Sequence, residues 1–327
     1  MKAFNLSDIE LTKYLFFTGK GGVGKTSIAC ATAVGLADKG KKILLISTDP
    51  ASNLQDVFDQ PLNGHGTAIS EVPGLTVVNL DPEQAAAEYR ESVIAPFRGK
   101  LPESVIQNME EQLSGSCTVE IAAFNEFSDF ITDVNEAKEY DHIIFDTAPT
   151  GHTLRMLQLP SAWSTFISES THGASCLGQL SGLEERKGIY KQAVDTLSDT
   201  SATRLVLVSR PEIAPLKEAA RSSHELQLLG IKNQLLVING VLRQLDEADN
   251  VSQQLHDRQQ KALQSMPIAL SEYPMYSIPL RSYNLSNIAN IRRMLYSDSI
   301  TNEISYQPIT DSKSIDELVN DLYTCLL

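Results

Sequence analysis

The stretch Tyr14-Leu-Phe-Phe-Thr-Gly-Lys-Gly-Gly-Val-Gly-Lys-Thr26 decides the fold. Its first five residues are apolar, aromatic or β-branched and read as a buried strand. The next eight, Gly19 to Thr26, match G-x-x-x-x-G-K-[ST], and the segment that follows runs helically to about Lys39 and stops at Gly40. Strand, glycine loop and helix in that order form an anion cradle. The glycines let backbone N–H groups turn inward on a polyphosphate, and the helix N-terminus adds the positive end of its dipole. Lys25 places a point charge on the outer phosphates, and Thr26 offers a hydroxyl to Mg²⁺. The expected nucleotide-binding set is Gly19, Gly21, Gly22, Val23, Gly24, Lys25, Thr26, Ser27 and, for a reason given below, Asn239.

Outward from this loop, short β-branched runs recur between helical patterns. They are Lys42 to Ser47, Leu75 to Leu80, His142 to Asp146, Arg204 to Ser209 and Gln234 to Asn239. Several are apolar on successive residues, as strands covered on both faces must be. The expected fold class is therefore α/β, a P-loop NTPase with a mostly parallel, doubly wound sheet flanked by helices. Two stretches break the alternation. From 82 to 139 no strand pattern occurs, while Val105, Ile106, Met109 and Leu113, then Ile121, Phe124, Phe127 and Ile131, fall at helical spacing; this reads as a helical insertion. A second insertion, about 154 to 198, reads as partly helical with a mobile middle from Ser168 to Gly182. The tail carries a helical apolar stripe, Ile315, Leu318, Val319, Leu322 and Leu326. The whole of 1–327 reads as a single P-loop domain.

Composition excludes several function classes. With 27 Lys plus Arg against 41 Asp plus Glu, the net charge is −14, which disfavours non-specific binding to nucleic acid or anionic membrane. No window approaches the roughly 20 apolar residues that span a bilayer, and the first residues lack the apolar core of a signal peptide. A cytoplasmic protein with no direct membrane insertion is expected. Four cysteines, Cys30, Cys117, Cys176 and Cys325, are too sparse for a disulfide framework.

A Mg²⁺-nucleotide site also needs carboxylates at strand ends. Asp49 and Asp146 both follow strand patterns and project from the carboxyl edge of the sheet, where α/β ligands sit. Asp146 suits the metal's outer shell, and Asp49 suits positioning of a water. Lys20 is unusual, because an ordinary P-loop does not need a second lysine, and in the same loop it would repel Lys25. It reads as a charge that neutralises the transition state on a phosphate bound elsewhere, as an arginine finger does in trans.

With Lys20 in place, Gly19 to Thr26 resembles the deviant P-loop of the dimeric ATPases that include division-site positioning, plasmid-partition, nitrogenase iron-protein and arsenite-pump families. Ser47-Thr-Asp-Pro-Ala-Ser52 and Phe145-Asp-Thr-Ala-Pro-Thr-Gly-His-Thr-Leu-Arg155 resemble the arsenite-pump ATPase family and its relative, the targeting ATPase for tail-anchored membrane proteins. Glu111 to Phe124, Gly173 to Gly178 and Leu236 to Gly240 are similar to the N-terminal half of the bacterial pump ATPase. The resemblance runs from about Tyr14 and weakens after about Leu242. It implies a nucleotide held between two lobes, Lys20 reaching the opposite lobe's nucleotide, Asp49 orienting the attacking water and Asp146 sensing the metal site. It implies that Asn239 contacts adenine, and that Asp146 to Arg155 relays between the nucleotide and a metalloid or client site. The bacterial pump ATPase carries two homologous halves, each with a P-loop. This chain carries one, so pairing with a second copy of itself or with a homologous half is expected.

The thiols gain meaning from that resemblance. Ser116 reads as an N-cap with Cys117 the first helical residue, where a helix N-terminus stabilises thiolate. Soft trivalent arsenic or antimony prefers such a ligand. Cys176 and His152 complete the candidate arsenite or antimonite set. Cys30, one helical turn past the P-loop, reads as core. The leading expectation is an ATPase that binds arsenite or antimonite and drives a membrane arsenite efflux protein, peripherally associated with the inner membrane through it. The alternative is the targeting factor for tail-anchored proteins. That factor often uses a C-x-x-C pair, which this sequence lacks, and a Met-rich groove, whereas six methionines are scattered here.

Overall fold

A computed structural model describes residues 1–49, 54–133, 138–147, 181–243 and 249–295 of the chain. Its strands are β1 (Lys2–Ala3), β2 (Tyr14–Thr18), β3 (Ile43–Ser47), β4 (Thr67–Ala68), β5 (Leu75–Asn79), β6 (His142–Asp146), β7 (Thr203–Ser209), β8 (Gln234–Val241) and β9 (Met275–Pro279). The helices are α1 (Lys25–Ala37), α2 (Leu54–Phe58), α3 (Pro82–Ile94), α4 (Glu103–Gln112), α5 (Ser116–Thr132), α6 (Ser181–Ser198), α7 (Ile213–Leu228), α8 (Asn250–Gln264) and α9 (Ile288–Met294). The strands form one sheet in the order β1-β9-β8-β7-β2-β6-β3-β5-β4, and every pairing but β4–β5 is parallel. This is the doubly wound α/β arrangement of a P-loop NTPase.

The sheet is dry on both faces. All five residues of β2 and of β3 are buried, and alternate side chains feed two cores. Leu15, Phe17, Leu45, Ile144 and Val208 pack toward α1 and α9. Phe16, Ile46, Phe145 and Leu207 pack toward α5, α6 and α7. α1 lies between the sheet and α9, so it is buried nearly all round, and its small residues let the backbone approach. A Cβ at Gly35 would meet a Leu6 methyl at 2.9 Å.

On the other face Phe16 stacks on Phe145 at 4.5 Å between centroids, and Phe127 of α5 meets both edge-on, at 5.8 and 5.2 Å. Phe127 is fully buried. Truncation of such a side chain costs its transfer energy plus that of a cavity, so Phe127→Ala is expected to destabilise the chain by about 3–5 kcal/mol. Equilibrium urea unfolding at pH 7.5 measures it.

The helical stretch from 82 onward divides into two parts with different roles. α5 covers the sheet directly through Phe124, Phe127 and Ile131. α3 and α4 sit outside it, with small cores of their own around Ala85, Ala86 and Ala122, and around Ile94, Ile106 and Leu113. α3 starts at a conventional cap, where Asp81 accepts from Glu83 and Gln84 N–H next to Pro82.

Residues 181–198, the end of the second stretch that reads as partly helical, form one continuous helix. Its Tyr190, Ala193 and Leu197 lie on the sheet-side core at i, i+3 and i+7. It covers the crossover into β7, and the Glu-Glu-Arg-Lys run near its start masks that stripe in the sequence. At α5 the N-cap is Gly115, with extended backbone and no side-chain cap, so Ser116 is the first helical residue and Cys117 the second. Cys117 nonetheless stays in the first turn. The described residues belong to a compact unit spanning Met1–Tyr296. Residues 148–180, with His152 and Cys176, and 296–327, with the terminal stripe and Cys325, lie outside the described residues.

Candidate functional site

The carboxyl ends of β2, β3 and β6 converge on the glycine loop. Gly19 leaves β2 against the neighbouring strand β7, and a Cβ there would meet the Val208 carbonyl oxygen at 2.2 Å. The loop ends at Gly24, which caps α1 in the left-handed region at φ 96°, with no side chain satisfying the first amides of the helix. Those N–H groups are therefore left for a ligand. A Cβ at Gly24 would meet the Asn239 amide nitrogen at 2.3 Å. Gly21, Gly22, Gly24, Lys25, Thr26, Ser27 and Asp49 line a cleft of about 260 Å³. Val23 turns its side chain into the core and is 1% exposed.

Lys25 is 5% exposed, and its Nζ lies 3.5 Å from the Lys20 carbonyl oxygen. Burial lowers its pKa, and the charges of Asp146 and Asp49 oppose that shift. Asp146, the last residue of β6, is fully buried. Burial pushes its pKa up to about 7; the Thr26 hydroxyl and the Lys25 ammonium pull it down only in part, and Asp49 raises it further. The approach of Thr26 stops short of a well-formed hydrogen bond, so both Asp146 oxygens are buried without a partner. A buried, orphaned carboxylate beside a hydroxyl and a phosphate-binding loop is a fitting oxygen donor set for Mg²⁺.

The strand ends are pinned together. Thr147 donates both its N–H, at 3.2 Å, and its hydroxyl, at 2.8 Å, to the Phe17 carbonyl. The Thr48 N–H donates to the Asp146 carbonyl at 3.0 Å. These bonds hold the two aspartates in register with the loop. Sequence reading missed Thr48 and Thr147, although each directly follows a strand and adjoins one of the singled-out aspartates. Asp49 is half-buried, and its N–H donates to the Ser47 hydroxyl at 3.3 Å.

Lys20, in contrast to Lys25, is exposed. Asn239 comes to the loop from the end of β8 and donates Nδ2 to the Val23 carbonyl at 2.9 Å. Cys30 is fully buried in the core beside Asp146, and burial pushes its thiol well above the usual range. The structure thus brings together Gly19, Gly21, Gly22, Val23, Gly24, Lys25, Thr26, Ser27, Asp49, Asp146 and Asn239. Of the predicted metalloid ligands only Cys117 falls on a described element, the first turn of α5; Cys176 and His152 do not. Among the described residues no cluster of three His, Cys, Asp or Glu side chains is set to hold a metal ion, and no helix is long and apolar enough to cross a membrane.

Residues 12–297 match the model of the family described as anion-transporting ATPase. The chain belongs to that family. The match starts just before β2 and continues past Leu242 to the end of the described residues. Among members of known name, the arsenical pump-driving ATPases of Acidiphilium multivorum and Escherichia coli are each 48% identical over 320 and 317 residues, covering 96% of this chain and 54% of theirs. The chain therefore spans about half the length of these relatives. ATPase GET3 of Kluyveromyces lactis is 29% identical over 331 residues, covering 94% of both chains.

Proposed function

We propose that this member of the anion-transporting ATPases hydrolyses ATP and couples the turnover to binding of arsenite or antimonite for delivery to a membrane efflux protein, working as a homodimer or beside a homologous half. The observation that carries the reading is the loop itself: uncapped amides at the start of α1, with the buried Lys25 ammonium and the orphaned Asp146 carboxylate at their edge. The names of the 48% identical relatives point to the cargo.

In this reading the loop amides and Lys25 bind the β- and γ-phosphates. Thr26 and Asp146 would hold Mg²⁺, which when bound neutralises charge on the phosphate oxygens. Asp49 orients a water for attack on the γ-phosphorus. A new P–O bond forms, the bond to the ADP oxygen breaks, and the products are ADP, phosphate and a proton. Lys20 reaches the γ-phosphate of the opposing lobe. Asn239 sits where adenine would approach the loop. Cys117, with Cys176 and His152, ligates the metalloid, and Asp146 to Arg155 carries the change between the two sites. The protein would act in the cytoplasm, at the inner membrane through its partner.

Antimonite is expected to raise the steady-state ATPase rate of the isolated chain, and Cys117→Ser to blunt that response with ATP affinity retained. Phosphate release measured across an antimonite titration checks both. A flat response from a wild-type chain that binds ATP would sink the metalloid reading. It would favour the second one, a targeting factor for tail-anchored proteins, which the end-to-end match to an ATPase GET3 supports and the lack of a C-x-x-C pair opposes.

A further inference from the structure

Asn239 donates a hydrogen bond to the P-loop from β8, and the backbone that follows it is bonded by a side chain from α8. The end of β8 departs from a regular ladder: its register against β9 shifts between Asn239 and Val241, and Gly240 takes φ 81°. A glycine bulge of this kind leaves backbone groups without ladder partners and re-aims the neighbouring side chain. Here one side chain takes up two of those groups. Gln259 of α8, only 5% exposed, donates Nε2 to the Gly240 carbonyl at 3.0 Å and accepts the Leu242 N–H on Oε1 at 2.9 Å. On another side of the bulge the Arg210 guanidinium stands 3.2 Å from where a Cβ on residue 240 would lie. The residue just before the bulge is Asn239, which donates to the Val23 carbonyl at 2.9 Å and packs against Gly24.

We propose that Gln259 is a positioning residue for the nucleotide site. Its two bonds fix the Gly240 bulge, and the bulge aims Asn239. Asn239 in turn holds the Val23 carbonyl and the left-handed Gly24 in the conformation that turns the loop amides toward a phosphate. Among the described residues that line the cleft none comes from α8, so Gln259 acts on it through this path. The proposal rests on reading the loop as an ATP site.

Gln259→Leu keeps the approximate volume and removes both bonds. In the full chain without nucleotide, amide hydrogen exchange at Ile28, whose N–H donates to the Gly24 carbonyl at 3.1 Å, is expected to quicken by about tenfold, the order of an equilibrium shift on losing a buried hydrogen bond. The KM for ATP is expected to rise by a similar factor while kcat changes by less than about twofold. In an Asn239→Ala background the same change should add little, because the path is already cut. Unchanged exchange at Ile28 in a variant that merely melts at a lower temperature would overturn the proposal, as would full additivity of the two substitutions. Should Gln259→Leu fail to fold, Gln259→Glu retains the acceptor for Leu242, loses the donor to Gly240, and carries the same measurements. If the wild-type chain binds no ATP, the ATP reading fails, yet the nucleotide-free exchange comparison still decides the positioning role.

Discussion

In the Lys20→Ala variant, ATP turnover is expected to fall by about 10³-fold while ATP affinity stays within about tenfold of wild type. The two lysines of the loop occupy opposite environments. Lys25 is 5% exposed and directed into its own cleft, between the Lys20 carbonyl and the charges of Asp146 and Asp49. Lys20 lends the cleft its backbone and is itself exposed. A cation on the rim contributes little to ground-state binding in water. In the proposed pair, a second lobe closing over a γ-phosphate would exclude water, and the same charge would meet the transition state in a far lower dielectric.

Mixing two inactive variants separates the trans role from a cis one. In a mixed pair of Lys20→Ala and Asp49→Asn chains, the Lys20→Ala lobe keeps its own Asp49 and receives Lys20 from the other chain, so one working site is restored. If Lys20 acts on its own nucleotide, both sites stay dead. Restored turnover on mixing is the expected result, and equal loss of affinity and turnover in the single variant would count against the trans role.

Asp146→Asn is expected to raise the unfolding temperature of the nucleotide-free chain at pH 8, although it removes a carboxylate proposed to hold the metal. Burial lifts the Asp146 pKa from 3.8 to about 7. In the unfolded chain the group ionises near 4, so between about pH 4 and 7 the folded state binds a proton that the unfolded state has released. The contribution of this residue to stability therefore falls as pH rises through that window. By pH 8 the full penalty of a buried charge is present, on the order of 2–4 kcal/mol. Asparagine keeps the shape without the charge. A gain of roughly 5 °C is expected at pH 8, shrinking toward zero at pH 5, where the wild-type carboxyl is already neutral.

The same substitution should abolish the additional stabilisation that Mg²⁺ confers on the ATP-bound wild type. Scanning calorimetry at the two pH values, with and without Mg-ATP, reads both effects. A lower melting temperature for Asp146→Asn at pH 8 would refute the claim that its charge is held at a cost.

The strands around the site were legible because each is apolar on consecutive residues; His142–Asp146 matches its sequence reading to the residue, and Gln234–Val241 extends its own by two. β1, β4 and β9 were not. Two of these are two-residue strands, and β9 has Ser277 at its centre and ends on Pro279, so none carries a continuous apolar run. The glycine loop was legible as a loop between strand and helix, since only glycine tolerates the approach of Val208 at residue 19 and of Asn239 at residue 24. Gln259 was not, because one of five glutamines in a polar helix looks like a solvated residue until the fold sets a bulge against it.

The sequence by itself determined that a buried parallel sheet delivers a glycine-rich loop to a helix start, and that Asp49 and Asp146 follow strands of that sheet. These are local properties, written in the order and spacing of neighbouring residues. Tertiary structure alone decided that Asp146 is an orphaned carboxylate with a pKa of about 7, that Lys20 and Lys25 divide into an exposed and a buried cation, and that Asn239 braces a carbonyl 216 positions earlier in the chain. Burial and hydrogen-bond geometry depend on which distant segments pack together, and that packing sets the energy of a charge.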